Sequence, residues 1–422
     1  MSPTSTRFKR FYPWLVWGLG ATFMFYKYFL EVSPSVMVDD LMRVFNTSGA
    51  QLGNLVGCYF YAYLIMQIPM GIFTDRFGPR RVTSLAILCC GAGALLLAYA
   101  HELYVAELAR FITGFGASVA ALSCLKLTTL WFPPKRFSLM AGLMLSVGML
   151  GAVGGQAPLS IAMNYLGWRD SMIYGAVIGF VFAFIFWLTV RDHGPYAMPH
   201  PPEEMHRTPI LSGLKEILTT RQTWFLSWYS GLAFAPVLVF GGLWGVPYLQ
   251  ELYGFERTLA AQQISLVFIG FAVGAPLAGW LSSYMNKRLP VMIWGTAAAF
   301  VFSLLILYIP NMSAWECGAL MFCFGASISC FLLCFSMICE VNRIVLAATA
   351  IGFMNSFDAA LGALTDPLIG KFLDLGWDGR MVHGVRAFSV ENYHTAMLVI
   401  PVYLAISLVL LFFIKETHCV QK

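Results

Sequence analysis

Several ionisable side chains stand inside long apolar stretches of the sequence, where such groups are rare: Lys27, Glu31, Arg110, Asp358 and Asp366. Lys27 and Glu31 are four residues apart, one helical turn, and can pair. Tyr26 and Tyr28 flank the lysine. Asp358 lies mid-stretch, with Asn355 one turn before it and Asp366 two turns beyond. A charge at the centre of a bilayer costs about 2.5–3.5 kcal/mol on insertion scales, so each is a candidate for function. Lys27 or Arg110 suits a carboxylate or phosphate, and Glu31 or Asp358 suits a proton. A carboxyl moved between a dry apolar site and one beside a cation changes its affinity for a proton. The plainer alternative is that Lys27 and Glu31 only neutralise each other. Lys126, near the end of its stretch, can snorkel to the surface.

A second group sits between two apolar stretches: Gly71-Ile-Phe-Thr-Asp75-Arg76-Phe-Gly78-Pro-Arg80-Arg81. Four charges of mixed sign exceed what a turn needs. A helix N-terminus carries partial positive charge. Asp75 can sit against such an end near residue 345 and latch two parts of the chain together. Arg76, Arg80 and Arg81 would bond nearby carboxylates or carbonyls. Gly71 and Gly78 would allow close packing and a tight turn.

The elements that must hold these groups are long apolar helices. The chain has 422 residues, 59% hydrophobic and 11% charged, with mean hydropathy +0.72. Soluble domains carry about 25% charged residues, so the solvent is a bilayer. Twelve windows of spanning length occur, near 12–33, 50–71, 82–100, 103–130, 138–162, 170–190, 223–247, 262–284, 289–310, 314–340, 345–372 and 394–415. Backbone polar groups cannot be left bare in lipid, so each window should be helical. The first is too long for a signal-peptide core and lacks a cleavage site. With the N-terminus in the cytoplasm, cytoplasmic segments hold 17 of the 26 Lys and Arg residues and the opposite side holds six. Lys and Arg favour the cytoplasmic side, so both termini are expected there.

The longest polar stretch, 191–222, separates two sets of six spans, 1–190 and 223–422. Within it, 210–220 reads as a short amphipathic surface helix. The sets echo each other. Phe115-Gly116-Ala117-Ser118 recurs as Phe324-Gly325-Ala326-Ser327, Pro158-Leu159 as Pro367-Leu368, and Leu166-Gly167-Trp168 as Leu375-Gly376-Trp377, all at an offset of 209. The Asp75 segment has a degraded echo at Gly279–Arg288, with Ser283 in place of the aspartate.

Spans 5 and 11 are rich in Gly and Ala, which let helices approach. Gln156 is polar and mid-membrane. Gly241, Gly242, Gly245 and Pro247 suggest a discontinuous span 7, with Trp244 and Tyr248 able to stack on cargo. Nine of ten cysteines lie inside apolar stretches and read as packing residues. There is no phosphate loop, GxSxG or HExxH, and no basic run for nucleic acid. An enzyme is not expected.

The spacing Gly71-x3-Asp75-Arg76-x-Gly78-x-Arg80-Arg81 resembles the loop between helices 2 and 3 of the major facilitator superfamily. Arg110-x3-Gly114-x-Gly116 is similar to its second motif, and Gly148-x2-Gly151-x2-Gly154-Gly155-Gln156-Ala-Pro158 to its third. Tyr28-Phe-Leu-Glu-Val32-Ser-Pro34-Ser-Val-Met37, Gln67-Ile-Pro69 and Trp131-Phe-Pro-Pro resemble bacterial nutrient carriers, phagosomal amino-acid transporters among them.

The resemblance implies an all-α membrane protein of two pseudo-twofold-related six-helix bundles, with cargo bound midway between them. It implies spans 1, 4, 7 and 10 lining the cavity and Asp75 acting as the latch. It implies a monomeric secondary transporter of the bacterial inner membrane with no cofactor. The expected activity is proton-driven uptake of a small polar nutrient, an amino acid first. Siderophores, nucleosides, organic anions and export remain open, as does a transport-inactive sensor.

Overall fold

The computed structural model describes residues 3–133, 136–192, 194–196, 210–343, 346–382 and 384–419. Lys135 and the proline-rich part of the 191–222 segment fall outside them.

Every apolar window is helical. Spans 1 to 6 are Pro3–Val32, Gly49–Phe77, Pro79–Tyr99, Leu103–Trp131, Phe137–Leu166 and Trp168–Thr189. Spans 7 to 12 are Arg221–Tyr253, Arg257–Met285, Leu289–Tyr308, Ala314–Val341, Ala347–Gly376 and Val390–Leu411. By length and hydropathy alone, nine described helices are apolar enough to cross a membrane, ten with the bent span 2. The two outside that count, spans 1 and 11, carry Lys27, Glu31, Asp358 and Asp366. Their polar residues lower the mean hydropathy. An even number of spans puts both termini on one face.

Local sequence explains the starts and breaks. Ser48 with Gln51 and Ser313 with Glu316 form capping boxes at spans 2 and 10. Prolines open spans 3 and 9, where a missing N–H is harmless. Span 4 breaks after Ala117, and span 10 breaks at Ser329–Leu332, near the echoing position. Span 5 breaks at Gly155-Gln156, ahead of Pro158. Span 7 loosens into a π-helical turn over Val239–Trp244, where the glycines suggested a discontinuity.

Span 2 runs on to Phe77, past the expected end at 71, and bends by 57° around Pro69. Gly71, Asp75 and Arg76 therefore stand on helix rather than in a loop. A Cβ on Gly71 would meet open space, so close packing is not its role. Gly78 makes the turn alone, at φ +81°, and a Cβ there would come within 2.7 Å of the Asp192 carboxylate.

That carboxylate caps span 3, accepting from Arg80 N at 2.7 Å. The second set of spans repeats the device. Glu416 accepts from Arg288 N at 3.0 Å and Leu289 N at 2.8 Å, capping span 9. Burial alone would raise the Glu416 pKa. The N–H groups of Arg288, Leu289, His418 and Thr417 outweigh it and hold the carboxyl below its usual value. A depressed pKa stabilises above the unfolded value, about 4.3, and that gain is lost as pH falls through the folded one. Glu416→Gln should therefore melt lower than wild type at pH 7, and the two should converge in acid, below the unfolded value of about 4.3. Parallel melting curves at both pH values would refute this cap.

On the face opposite the termini lie a 3₁₀ turn, Ser33–Val36, a helix, Val38–Phe45, and a two-stranded hairpin pairing Met381–Val382 with Val385–Arg386. On the termini face, Ile210–Thr219 is helical, with Ile217 buried.

Candidate functional site

Lys27 is 6% exposed and Glu31 3%, and one helical turn brings them into a direct ion pair. Tyrosines surround the ammonium. Its nitrogen lies 3.7 Å from the Tyr28 ring centroid, 5.3 Å from Tyr63 and 6.0 Å from Tyr59. Such ring faces attract cations. Tyr59 also donates to Glu31 Oε2 at 2.8 Å. One carboxylate oxygen thus takes both the lysine and a phenol, a tight arrangement for a group buried in lipid.

Arg110 is buried here too, but not as a free anion site. Its NH1 donates to Leu30 O at 2.8 Å and its NH2 to Glu31 O at 3.2 Å. Those carbonyls belong to the last turn of span 1, which lacks helical partners. Tyr59 stacks beneath the guanidinium at 5.0 Å. Arg110 therefore holds the end of span 1 in place, and only Nε lacks a partner. In this conformation the end nitrogens of Arg110 serve span 1 carbonyls, not an anion.

Span 11 brings its carboxyls to the same level from the other set. Asp358 is half-buried and accepts from Ser230 Oγ at 2.7 Å. It lies within electrostatic reach of Tyr28. Asn355 is half-buried one turn away. Asp366 is 1% exposed, and neither of its side-chain oxygens has a partner. It interacts electrostatically with Arg110.

Asp366 is sealed because the face opposite the termini is shut. Gly49, Gly53 and Gly57 form a stripe on span 2 that meets span 11 backbone to backbone. A Cβ on Gly53 would come within 2.4 Å of Asp366 O, one on Gly57 within 2.9 Å of Ala363 O, and one on Gly370 within 2.1 Å of Gly49 O. Only glycine permits such approach.

Polar ties reinforce the seam. Asp374 caps span 2, accepting from Gly49 N at 2.9 Å and Ala50 N at 2.8 Å, and is itself held by Arg386 at 3.2 Å. Arg257 reaches Asp40 Oδ2 at 2.9 Å and Asn164 Oδ1 at 2.8 Å. Thr258 meets Ser160 at 3.1 Å. Gln156 donates to Gly241 O at 2.6 Å and accepts from Ser35 at 3.0 Å. Gln156 is thus a strut between spans 5 and 7, fully buried rather than facing cargo.

Asn164 Nδ2 also donates to Thr258 Oγ1 at 3.2 Å. Among the described residues, the hydrogen bonds that join the first six spans to the last six are among these, and none lies near the termini face. These bonds close the site on the far side. Asp374→Ala should weaken that closure. Losing the two capping bonds costs about 1–2 kcal/mol, enough to raise the population open on the far face about five- to thirtyfold. Alkylation of a cysteine placed at Ser160 would read it, and an unchanged rate would show that Asp374 is not a tie.

A tie of the same kind as the anticipated latch is present on the far face, made by Asp374. Asp75 does not cap span 11 in this conformation. It is 70% exposed and pairs with Lys126 on span 4 at 2.8 Å. Lys126 thus has a partner and does not simply snorkel. Arg80 donates from Nε to Trp187 O at 2.7 Å and stacks on that ring at 4.6 Å. Arg76 lies over Phe77. Arg81 is exposed at the start of span 3.

Trp244 and Tyr248 are core residues with no exposed surface. Trp244 donates to Asp366 O at 3.2 Å. Tyr248 donates to Ile306 O and Leu307 O at the end of span 9. Neither ring is free to stack on cargo, because each polar atom serves a neighbouring backbone carbonyl. Sequence reasoning also passed over Tyr59, Tyr63, Arg257 and Asp374. The Gly49-x3-Gly53-x3-Gly57 spacing alone could have flagged the seam.

The chain is 23% identical over 367 residues to the probable sulfoacetate transporter SauU of Cupriavidus necator, covering 85% of this chain and 80% of that one. It is 25% identical over 389 residues to a probable hexose phosphate transport protein of Chlamydia muridarum, covering 84% of each. Its fold matches a bacterial homolog of the human lysosomal transporter Spinster, solved in an inward-facing and occupied conformation, with TM-score 0.77 and 18% identity over 96% of this chain and 97% of that one. The Major Facilitator Superfamily description matches residues 17–365. This chain is an integral membrane protein of the Major Facilitator Superfamily, with that superfamily's fold and its secondary-transporter character.

Proposed function

We propose that this transporter moves a small carboxylate- or phosphate-bearing solute together with a proton, with Lys27 as the anion anchor and Glu31 as the proton site. The observation that carries this is the buried Lys27–Glu31 pair in its tyrosine cage. While Glu31 is ionised, it occupies the lysine. A proton added to the Glu31 carboxylate discharges it, and Lys27, still an ammonium, becomes free for the anionic group of the cargo. Loss of that proton restores the pair and expels the anion. Proton and anion thus travel together. The cargo named for two relatives, sulfoacetate and hexose phosphate, is anionic, which supports the class. Amino acids fall within it by their carboxylate.

With both termini cytoplasmic and the far face shut, the conformation is inward-facing. Asp75 is then released, and it would approach span 11 only when the cytoplasmic face closes. A bacterial inner-membrane importer fits this arrangement.

A second reading is favoured by Asp358 and Ser230 across from Tyr28. An anionic oxygen on span 11 near Tyr28 would suit a zwitterion, holding its ammonium. Under this reading Asp358→Asn weakens binding of amino acids about tenfold or more and leaves simple anions unchanged. Equal loss for both would remove the zwitterion reading.

The test is flux into proteoliposomes with an imposed pH gradient and a panel of small anions, amino acids and nucleosides. Cargo-dependent alkalinisation of the outside supports symport. Binding without flux would indicate a sensor instead, and flux of nucleosides alone would overturn the anion assignment.

A further inference from the structure

A cleft of about 330 Å³ lies on the lipid-facing surface between spans 3 and 6, at the termini face. Two facing stripes build it. Span 3 supplies Arg81, Ser84, Leu85 and Leu88, and antiparallel span 6 supplies Phe180, Ala183, Phe184 and Trp187. Both follow the i, i+3, i+4, i+7 spacing of one helical face. Seven residues of helix make the cleft about 10 Å deep.

Its chemistry is graded along that depth. Leu85 is 61% exposed, Phe184 63% and Leu88 41%, an apolar wall open to hydrocarbon. At the rim stands Arg81, exposed and with no hydrogen-bond partner among the described residues. Below it Ser84 lines the cleft and is 4% exposed, with its hydroxyl turned inward and buried. Trp187 closes the rim on the other side, at the depth where tryptophan prefers to sit. Arg80 fixes it there by stacking on the ring and bonding its carbonyl. Neither the cargo site nor the far-face ties use any of these residues.

We propose that this cleft is a specific site for one anionic phospholipid, with its phosphate on Arg81 and one acyl chain along Leu85, Leu88 and Phe184. Charge complementarity selects the occupant. An exposed cation at the top of an apolar groove matches a headgroup phosphate above a hydrocarbon chain. Basic pockets between membrane helices on the cytoplasmic side hold anionic headgroups. The orientation rests on the proposed cytoplasmic termini. Binding itself does not, so the two ideas fail separately.

The test is native mass spectrometry of the full chain in detergent with an equimolar mixture of dioleoyl phosphatidylglycerol and dioleoyl phosphatidylcholine. One tightly retained phosphatidylglycerol is expected, favoured at least fivefold. Arg81→Gln should bring the ratio close to one. Leu88→Trp, which fills the cleft and keeps the charge, should remove the retained lipid. Phosphatidylglycerol with brominated chains should quench a fluorescence component that Trp187→Phe lacks. Equal retention of both lipids, or a preference unchanged in Arg81→Gln, would mean exchanging boundary lipid only and would overturn the proposal.

Discussion

Glu31→Gln should abolish accumulation against a gradient while leaving cargo exchange across the membrane measurable. Glutamine keeps the shape and can still accept from Tyr59, but it cannot be ionised. Lys27 then has no competitor for the anion at any pH, so binding persists and the proton is no longer required. A gradient equivalent to 100 mV supplies about 2.3 kcal/mol per charge, worth about fiftyfold in concentration ratio. Wild type should approach that ratio, and the variant should fall to about one. Removing one partner of a buried ion pair destabilises by about 3–5 kcal/mol, so the variant should melt low without cargo and recover with it. Counterflow in proteoliposomes separates a protein that has lost coupling from one that has lost its fold. Concentrative uptake at the wild-type level would sink the role assigned to Glu31.

Gly53→Leu should slow transport by a different route. A Cβ at this position already overlaps Asp366 O at 2.4 Å, and the obstacle is main chain, which cannot rotate away. The clash exists only while span 2 lies on span 11. The closed far face therefore becomes inaccessible, while packing within each six-span set is untouched. Turnover should drop by about five- to 150-fold, since overpacking at such contacts costs about 1–3 kcal/mol. Gly57→Ala, at 2.9 Å from Ala363 O, should have a milder effect of the same kind. Alkylation of a cysteine at Ser160 should rise in both variants. Wild-type flux in Gly53→Leu would show that this seam does not open during transport.

Much of the architecture could be read in the chain because a bilayer demands long apolar helices, and each of the twelve windows is one. The breaks were partly legible. Gly241, Gly242 and Gly245 pointed to the loosened turn in span 7, whereas the breaks in spans 4 and 10, near the echoed Phe-Gly-Ala-Ser, were not read. The Lys27–Glu31 pair was legible because it is local, one turn along a single helix. Contacts between distant helices were not. Spacing says which residues share a face, but not which way that face is turned.

Arg110 illustrates the limit. Its motif was visible, yet its partners are carbonyls at the end of span 1, and no side-chain pattern announces a carbonyl. Trp244 and Tyr248 failed as stacking platforms for the same reason. An aspartate on a helix N-terminus also ties the far face, a pairing that no sequence pattern announced. Asp374 on Gly49 and Ala50 is that device, and Asp75 instead pairs with Lys126 within its own set of spans.

The glycine seam also limits slippage. Its notches at 49, 53 and 57 recur once per turn, so the next fit lies one full turn away, about 6 Å along the helix. Moving that far would tear Asp374 from the amides it holds and Arg257 from Asp40. There is then one way to be shut and no stable half-shut posture through which ions could trickle. A carrier with such a joint should waste little of its gradient when cargo is absent.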